Sequence, residues 1–278
     1  MLQESLSLEG PPRRVAIVTG GSRGLGKEMA RSLALAGADV CIASRTASEL
    51  DKTRTELEEV CGREVLAIPT DVKSREQCDA LIGQTVERFG RLDIMLNNAG
   101  LGDRRGAGAK LWELEDEPWH DTIEVNLYST FYCSRAAARQ FRAQGEGGVI
   151  LNVASGSALR SQPRDFGYGA AKAGVISLTK STAAMLIDDG VRANCIVPGF
   201  VLQQPPATDE EREAARQRGR FNPTGRLGDA WELGPLAVFL CSDAAHYITS
   251  EVFVIDGGGL AGGIAPAGWA PETGGGHG

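Results

Sequence analysis

Tyr168 and Lys172 stand four residues apart in a stretch, Tyr168–Ile187, whose apolar spacing predicts a helix, so their side chains share one face. A free tyrosine titrates at about 10 and a free lysine at about 10.4. An ammonium held nearby favours the tyrosinate. A phenol made more acidic in this way can act as a general base toward an alcohol, or as a general acid toward a carbonyl oxygen. The spacing by itself is a weak signal, because a half-buried aromatic beside a surface lysine gives the same pattern. Its weight comes from its company. Ser155 lies 13 residues before Tyr168 in Asn152-Val153-Ala154-Ser155-Gly156-Ser157. A hydroxyl there can hydrogen-bond a carbonyl oxygen and stabilise developing negative charge; the plain alternative is a polar strand end.

These residues need a frame, and the alternation of short apolar runs with helical patterns supplies one. Runs at Val15–Thr19, Asp39–Ala43, Glu64–Ile68, Leu92–Leu96, Gly148–Ala154, Val191–Val197 and Val252–Ile255 read as strands. Helical spacing covers Leu25–Ala36, Ala47–Val60, Arg75–Phe89, Trp119–Ala143, Tyr168–Ile187 and Ala230–Leu240. Apolar strands separated by helices predict an α/β fold, a doubly wound parallel sheet of about seven strands with helices on both faces. No break in composition divides the series. The expected organisation is an arm over residues 1–13, one domain over 14–260 and a Gly/Ala/Pro-rich tail over 261–278. Within the domain, 200–228 holds Pro205, Pro206, Pro223 and the charged patch Asp209–Arg220, and reads as a lid over the substrate.

The first predicted strand runs into Thr19-Gly20-Gly21-Ser22-Arg23-Gly24-Leu25-Gly26, and a helix follows at once. Glycines allow the sharp turn and let a pyrophosphate approach bare N–H groups, where the helix dipole adds attraction. Strand, turn and helix come in the order that dinucleotide binding needs. The spacing is T-G-x-x-x-G-x-G rather than G-x-G-x-x-G, and this variant resembles the short-chain dehydrogenase/reductase family. The resemblance extends from about Arg14 to Gly258.

The resemblance implies a Rossmann-type fold, a nicotinamide cofactor and interconversion of a ketone and a secondary alcohol. Its catalytic group falls on Asn126, Ser155, Tyr168 and Lys172, with Ser157 fitting less well than Ser155. In the family the asparagine holds a water that links the lysine to solvent, and the lysine also binds the nicotinamide ribose. The positive ring of oxidised cofactor is a second influence favouring tyrosinate. Cofactor contacts fall on Gly20, Ser22, Arg23, Gly24, Leu25 and Gly26, on Ser44 and Arg45, on Asp71 and Val72 after the third strand, and on Asn98, Ala99 and Gly100. They also include Tyr168 and Lys172, and Pro198, Gly199 and Val201 beyond the sixth strand. The threonine usual after that Pro-Gly pair is absent; Leu202 and Gln203 stand there, and the Gln203 amide could make the missing hydrogen bond. No metal is expected.

The second strand ends in Ile42-Ala43-Ser44-Arg45, with no carboxylate to accept a ribose 2′-hydroxyl. An arginine attracts a 2′-phosphate and grips it with a planar fork. Arg45, with Arg23 in the glycine turn, therefore predicts NADP(H), with NAD(H) as the possible second choice.

The formal net charge of −7 over 278 residues argues against a broad basic surface and against nucleic acid as a partner. The six cysteines, Cys41, Cys61, Cys78, Cys133, Cys195 and Cys241, include no C-x-x-C pair and read as reduced thiols. Met1–Gly10 does not read as a signal peptide, and no run approaches the length of a membrane span. The expectation is a cytoplasmic protein without membrane attachment, and the resemblance adds a homotetramer, or homodimer, built through long helices and the last strand. Arg160, Arg164, Arg212, Arg216, Arg218 and Arg220 could receive an anionic substrate, but the acids Asp209, Glu210, Glu211 and Glu213 make helix-face ion pairs an equal reading. Two competing readings are a catalytically silent dinucleotide sensor or scaffold of the same fold, and an epimerase or dehydratase of the extended branch. The intact Asn126-Ser155-Tyr168-Lys172 group opposes the first; the glycine spacing and the lack of a large C-terminal domain oppose the second.

Overall fold

The structure is a computed structural model that describes residues 2–10, 12–101, 110–160, 165–220 and 222–261. Arg164 and the tail beyond residue 261 lie outside the described residues.

Seven parallel strands form the central sheet: β1 (Val15–Thr19), β2 (Asp39–Ser44), β3 (Val65–Pro69), β4 (Ile94–Asn97), β5 (Gly148–Val153), β6 (Val191–Pro198) and, after two short strands introduced below, β9 (Val252–Ile255). Their order is β3-β2-β1-β4-β5-β6-β9. All five residues of β1 are buried, as a strand covered on both faces requires. The chain winds outward in opposite directions from β1 and β4. That reversal opens a crevice at the carboxyl ends of these two strands, where ligands bind in such sheets.

Helices α2 (Gly24–Leu35), α3 (Ala47–Cys61) and α9 (Leu233–Cys241) cover one face. Met29, Leu33, Leu50, Leu57 and Leu240 pack there against Val18, Ile42 and Leu151. On the other face lie α4 (Arg75–Phe89), α6 (Ser129–Gln144) and α7 (Phe166–Leu186), with Leu81, Phe141 and Ala183 over Ile17, Met95 and Ile150. The two clusters use alternate residues of the same strands, which is the period-two geometry of a pleated sheet.

The start of the chain is docked onto this body. A short helix, α1 (Leu2–Leu6), precedes Leu8, which is 1% exposed within the first core cluster. Leu8 N–H donates to the Ala36 carbonyl at 2.8 Å, and Arg14 N–H to the Leu8 carbonyl at 3.0 Å.

The long helix expected over Trp119–Ala143 is interrupted at Asn126. It is built as α5 (Asp116–Ile123), a π turn over Glu124–Tyr128, and α6. Side chains occupy carbonyls that the widened turn releases: Asn126 Nδ2 donates to Thr122 O at 3.0 Å and Ser129 Oγ to Val125 O at 2.7 Å. Such single-turn bulges concentrate at functional sites.

The segment after β6 is more ordered than its composition suggests. β7 (Val201–Leu202) pairs with β8 (Gly228–Asp229), and α8 (Asp209–Gly219) lies between them. A capping box starts α8, with Thr208 Oγ1 accepting from Glu211 N–H. Arg212 pairs with Asp209 at 2.7 Å and Arg216 with Glu213 at 2.8 Å, each three residues apart. Arg220 donates to Gln217, and Arg218 lies over the Phe200 ring. Helix-face ion pairing therefore engages Arg212 and Arg216, whereas Arg218 and Arg220 have no acid partner among the described contacts. Among the described residues all six cysteines are free thiols, no helix is long and apolar enough to cross a membrane, and no group of three or more His, Cys, Asp or Glu could hold a metal ion.

Candidate active site

The glycine turn is held to β4 by Thr19, the last residue of β1. Thr19 Oγ1 accepts from the N–H groups of Asn98 and Ala99, both at 3.1 Å, and Asn98 Nδ2 donates back to the Thr19 carbonyl at 3.1 Å. Gly20 and Gly24 have φ of +66° and +55°, the left-handed region that glycine enters without penalty. A Cβ on Gly26 would lie 2.3 Å from the Gly20 carbonyl oxygen and 2.5 Å from Asn98 Nδ2, so the start of α2 can come this close to the turn only as glycine. The positive end of α2 thereby faces the crevice.

A cleft of about 460 Å³ opens from the turn. Tyr168 and Lys172, both on α7, line it together with Gly20 and Gly24 and with Val153 and Ala154 at the end of β5. Lys172 is buried, and its Nζ donates to the Val153 carbonyl at 2.9 Å. A Cβ on Gly100 would meet Asn126 Oδ1 at 2.6 Å and Lys172 Nζ at 3.2 Å. Asn126, Gly100 and Lys172 therefore converge on one point. The Asn126 side chain is fully engaged there: Oδ1 accepts from Leu101 N–H at 3.2 Å, and Nδ2 donates to the Leu101 and Thr122 carbonyls at 2.8 and 3.0 Å.

Burial dominates the electrostatics of the pair. The spacing predicts that the ammonium acidifies the phenol. In the cofactor-free protein, however, burial pushes the Tyr168 phenol up, against a hydrogen bond with Ser155 that pulls it down, while Asp165 adds to the rise. Burial also pulls the Lys172 ammonium down to about 8. Lys172 Nζ sits over the Tyr168 ring, 5.8 Å from its centroid, and its hydrogen bond is directed to Val153. Low dielectric opposes both charges, and at that placement the attraction between them does not overcome it.

The far end of the cleft is walled by Ser44, Arg45, Asp71, Val72, Ser22 and Arg23. Ser44 Oγ is buried and has no hydrogen-bond partner. Gln203 also lines the cleft, and its Oε1 lies 2.2 Å from where a Gly24 Cβ would be. The amide thus reaches over the glycine turn. The donor set suits a dinucleotide: bare backbone at a helix start for a pyrophosphate, a lone hydroxyl and a guanidinium at one end, and a phenol and an ammonium at the other.

Of the residues singled out from the sequence, Gly20, Ser22, Arg23, Gly24, Leu25, Ser44, Arg45, Asp71, Val72, Asn98, Ala99, Gly100, Tyr168 and Lys172 line one cleft. Ser155 does not line the cleft; its Oγ accepts from Ser157 N–H at 3.3 Å, and it stands near enough to Tyr168 to pull the phenol down. Asn126 joins the cleft through Leu101. Gly26 supports the turn from below. Pro198, Gly199 and Val201 do not line the cleft. The Pro198 carbonyl lies 3.7 Å from a Cβ position on Gly156, Gly199 packs on Asp256, and Val201 is paired in β7. Arg160 is exposed. Sequence reasoning passed over Thr19, whose role is to pin two strand ends together. It also passed over Glu49, which lines the cleft beside Arg23; its only sequence signal is the Thr46-x-x-Glu49 spacing of a helix cap.

A family model described as enoyl-(acyl carrier protein) reductase matches residues 20–259. The chain is 35% identical over 252 residues to 3beta-hydroxysteroid dehydrogenase 2 of Eggerthella lenta, covering 88% of this chain and 94% of that protein. It is 37% identical over 267 residues to 2-dehydro-3-deoxy-D-gluconate 5-dehydrogenase of Escherichia coli, covering 94% and 100%. The crystal structure of L-sorbose reductase from Gluconobacter frateurii, complexed with NADPH and L-sorbose, superposes with a TM-score of 0.84 at 29% identity over 92% of this chain and 98% of that one. With its seven-stranded parallel sheet and these relatives, the chain belongs to the short-chain dehydrogenase/reductase family, oxidoreductases that act on CH–OH groups and use NAD(P)(H).

Proposed function

We propose that this chain is an NADP(H)-dependent oxidoreductase that interconverts a ketone and a secondary alcohol, with Tyr168 as the group that exchanges the proton. The observation that carries the reading is the convergence of Tyr168 and the buried Lys172 on the same cleft as the glycine turn, with Ser155 near enough to Tyr168 to pull its phenol down. When bound, the cofactor supplies the hydride chemistry. The chain's own residues do the rest. The Tyr168 hydroxyl gives its proton to the substrate oxygen in reduction and takes it back in oxidation. Ser155 Oγ holds that oxygen and stabilises its developing charge. Lys172, fixed by the Val153 carbonyl, keeps a positive charge beside the phenol and is placed to bind the nicotinamide ribose. Asn126 holds the Leu101 backbone and stands next to Lys172, where a proton relay to solvent would begin. Arg45, Arg23 and Ser44 would hold the 2′-phosphate.

The NADPH-bound relative supports this cofactor reading. We also read the protein as cytoplasmic and as a homotetramer or homodimer, with a lid formed by 200–228. Tyr168→Phe should lose about 10² to 10⁴ in kcat, the usual range for a general acid–base group, while its NADPH affinity stays close to wild type. The assay follows NADPH absorbance with a panel of ketones, alongside a binding titration. Near-normal turnover in the variant would reject Tyr168. Binding without turnover by the wild type across the panel would favour a sensor of the same fold.

A further inference from the structure

Glu49 has a sequence context that predicts one role and a position that gives it another. It is the third residue of α3, after Thr46, so Thr46-Ala47-Ser48-Glu49 has the form of a capping box, in which the glutamate turns back to the backbone N–H at the cap. This chain builds that arrangement elsewhere: at α8, Glu211 Oε2 accepts from Thr208 N–H. At α3 the Thr46 side chain makes no cap bond. The Glu49 carboxylate instead crosses to the glycine turn, where Ser22 Oγ donates to it at 3.4 Å and Arg23 Nη1 lies 3.9 Å away. It walls both the cofactor cleft and an outer groove of about 740 Å³ that continues from it. Arg45 and the unpartnered Ser44 Oγ share the cleft wall.

We propose that Glu49 is a specificity-determining residue that tempers the chain's preference for a 2′-phosphate. It acts as an internal anion, holding Arg23 and Ser22 when no phosphate is present and competing with the phosphate for them. The proposal rests on the NADP(H) reading above. Arg23 can serve a 2′-phosphate only by leaving Glu49, and a carboxylate beside that dianion repels it. A ribose with a free 2′-hydroxyl meets no such repulsion, because an ionised carboxylate accepts a hydroxyl hydrogen bond. Rejection is incomplete because the unused capping box offers Glu49 a second place, on the Thr46 N–H. Glu49 therefore weakens NADP(H) binding and spares NAD(H).

The test titrates the full-length protein with 2′,5′-ADP and with 5′-AMP, which differ only in the 2′-phosphate, by calorimetry. Glu49→Gln keeps the side-chain shape and removes the charge. It should tighten 2′,5′-ADP about three- to ten-fold and leave 5′-AMP within about two-fold, the size expected of one charge near a partly exposed dianion. A purely structural role would move both ligands together, and that result, or an unchanged or weaker 2′,5′-ADP affinity, overturns the proposal. Arg45→Ala reports separately on the underlying reading. If neither wild type nor Glu49→Gln distinguishes the two ligands, both readings fall. If wild type favours 2′,5′-ADP, Arg45→Ala loses that preference and Glu49→Gln changes nothing, the NADP(H) reading stands and only the role of Glu49 fails.

Discussion

Lys172 carries its charge in a place that resists it, and the resistance gives a stability test of the site that is independent of turnover. Burial brings its folded pKa down to about 8, against about 10.4 in an unfolded chain. Below about pH 8 both states are protonated, and the full penalty of burying the ammonium stands. Between about pH 8 and 10.4 the unfolded state binds a proton that the folded state does not, so stability from this group climbs as pH rises through that window. Lys172→Met removes the titration. It also leaves the Val153 carbonyl without its donor, an offset that is the same at every pH. The stability of the variant relative to wild type should therefore be greater at pH 7 than at pH 10, by up to about 3 kcal/mol at 1.36 kcal/mol per pKa unit. Urea melts of the cofactor-free proteins at the two pH values measure it. Parallel behaviour of the two proteins would mean that Lys172 is hydrated rather than buried.

At the scale of elements, what the sequence exposes is what repeats or alternates. The apolar runs of β1, β2 and β6 are buried on both faces, so their periodicity survives as an unbroken stretch that is easy to see. Arg75–Phe89 shows its helix because Ser74 caps it, accepting from Gln77 N–H at 3.2 Å. Most of the cleft was legible for the same reason: the Gly20–Gly26 turn, Asn98-Ala99-Gly100 and the Tyr168–Lys172 pair are local strings. What was not legible depends on contacts across the sheet. Thr19 joins β1 to β4, Glu49 crosses from α3 to the turn, and at the π turn the Asn126 side chain serves both Leu101 and Thr122. Spacing reveals the charged neighbour of Tyr168 but not the burial that opposes ionisation of both groups. Two glycines show how local identity and distant contact separate. Gly26 and Gly83 both lie inside helices, where alanine is intrinsically better by about 1 kcal/mol. A Cβ on Gly83 meets nothing within 4 Å, whereas one on Gly26 meets the Gly20 carbonyl at 2.3 Å. Gly83→Ala should stabilise the protein by a few tenths to about 1 kcal/mol. Gly26→Ala should destabilise it by about 1–3 kcal/mol and weaken cofactor binding at least ten-fold. Thermal melts and a dinucleotide titration separate the two, and a Gly26→Ala protein that binds normally would show that the turn is not the cradle.

At the scale of the molecule, one outer surface of this chain of net charge −7 combines exposed aromatic rings with an arginine. On α6 and the turn before it, Tyr128 and Phe131 are 46% and 40% exposed and pack with Tyr132. The Arg135 guanidinium lies over the Phe131 and Tyr132 rings, 4.8 and 5.6 Å from their centroids, and its Nε and Nη2 are buried without a hydrogen-bond partner. Aromatic residues and arginine are enriched at the centres of protein interfaces, and buried guanidinium donors without acceptors carry a cost that an acceptor on a second copy would remove. This surface is the candidate seam of the proposed homo-oligomer. Light scattering should give the mass of a dimer or tetramer for the wild type. Phe131→Glu places a carboxylate on that seam and should weaken assembly about 30-fold or more, the equivalent of a hot-spot loss of about 2 kcal/mol. Because Phe131 is far from fully buried within one copy, the variant should keep its fold and its cofactor affinity. A wild type that stays monomeric at every accessible concentration would leave Arg135 to be explained within a single chain.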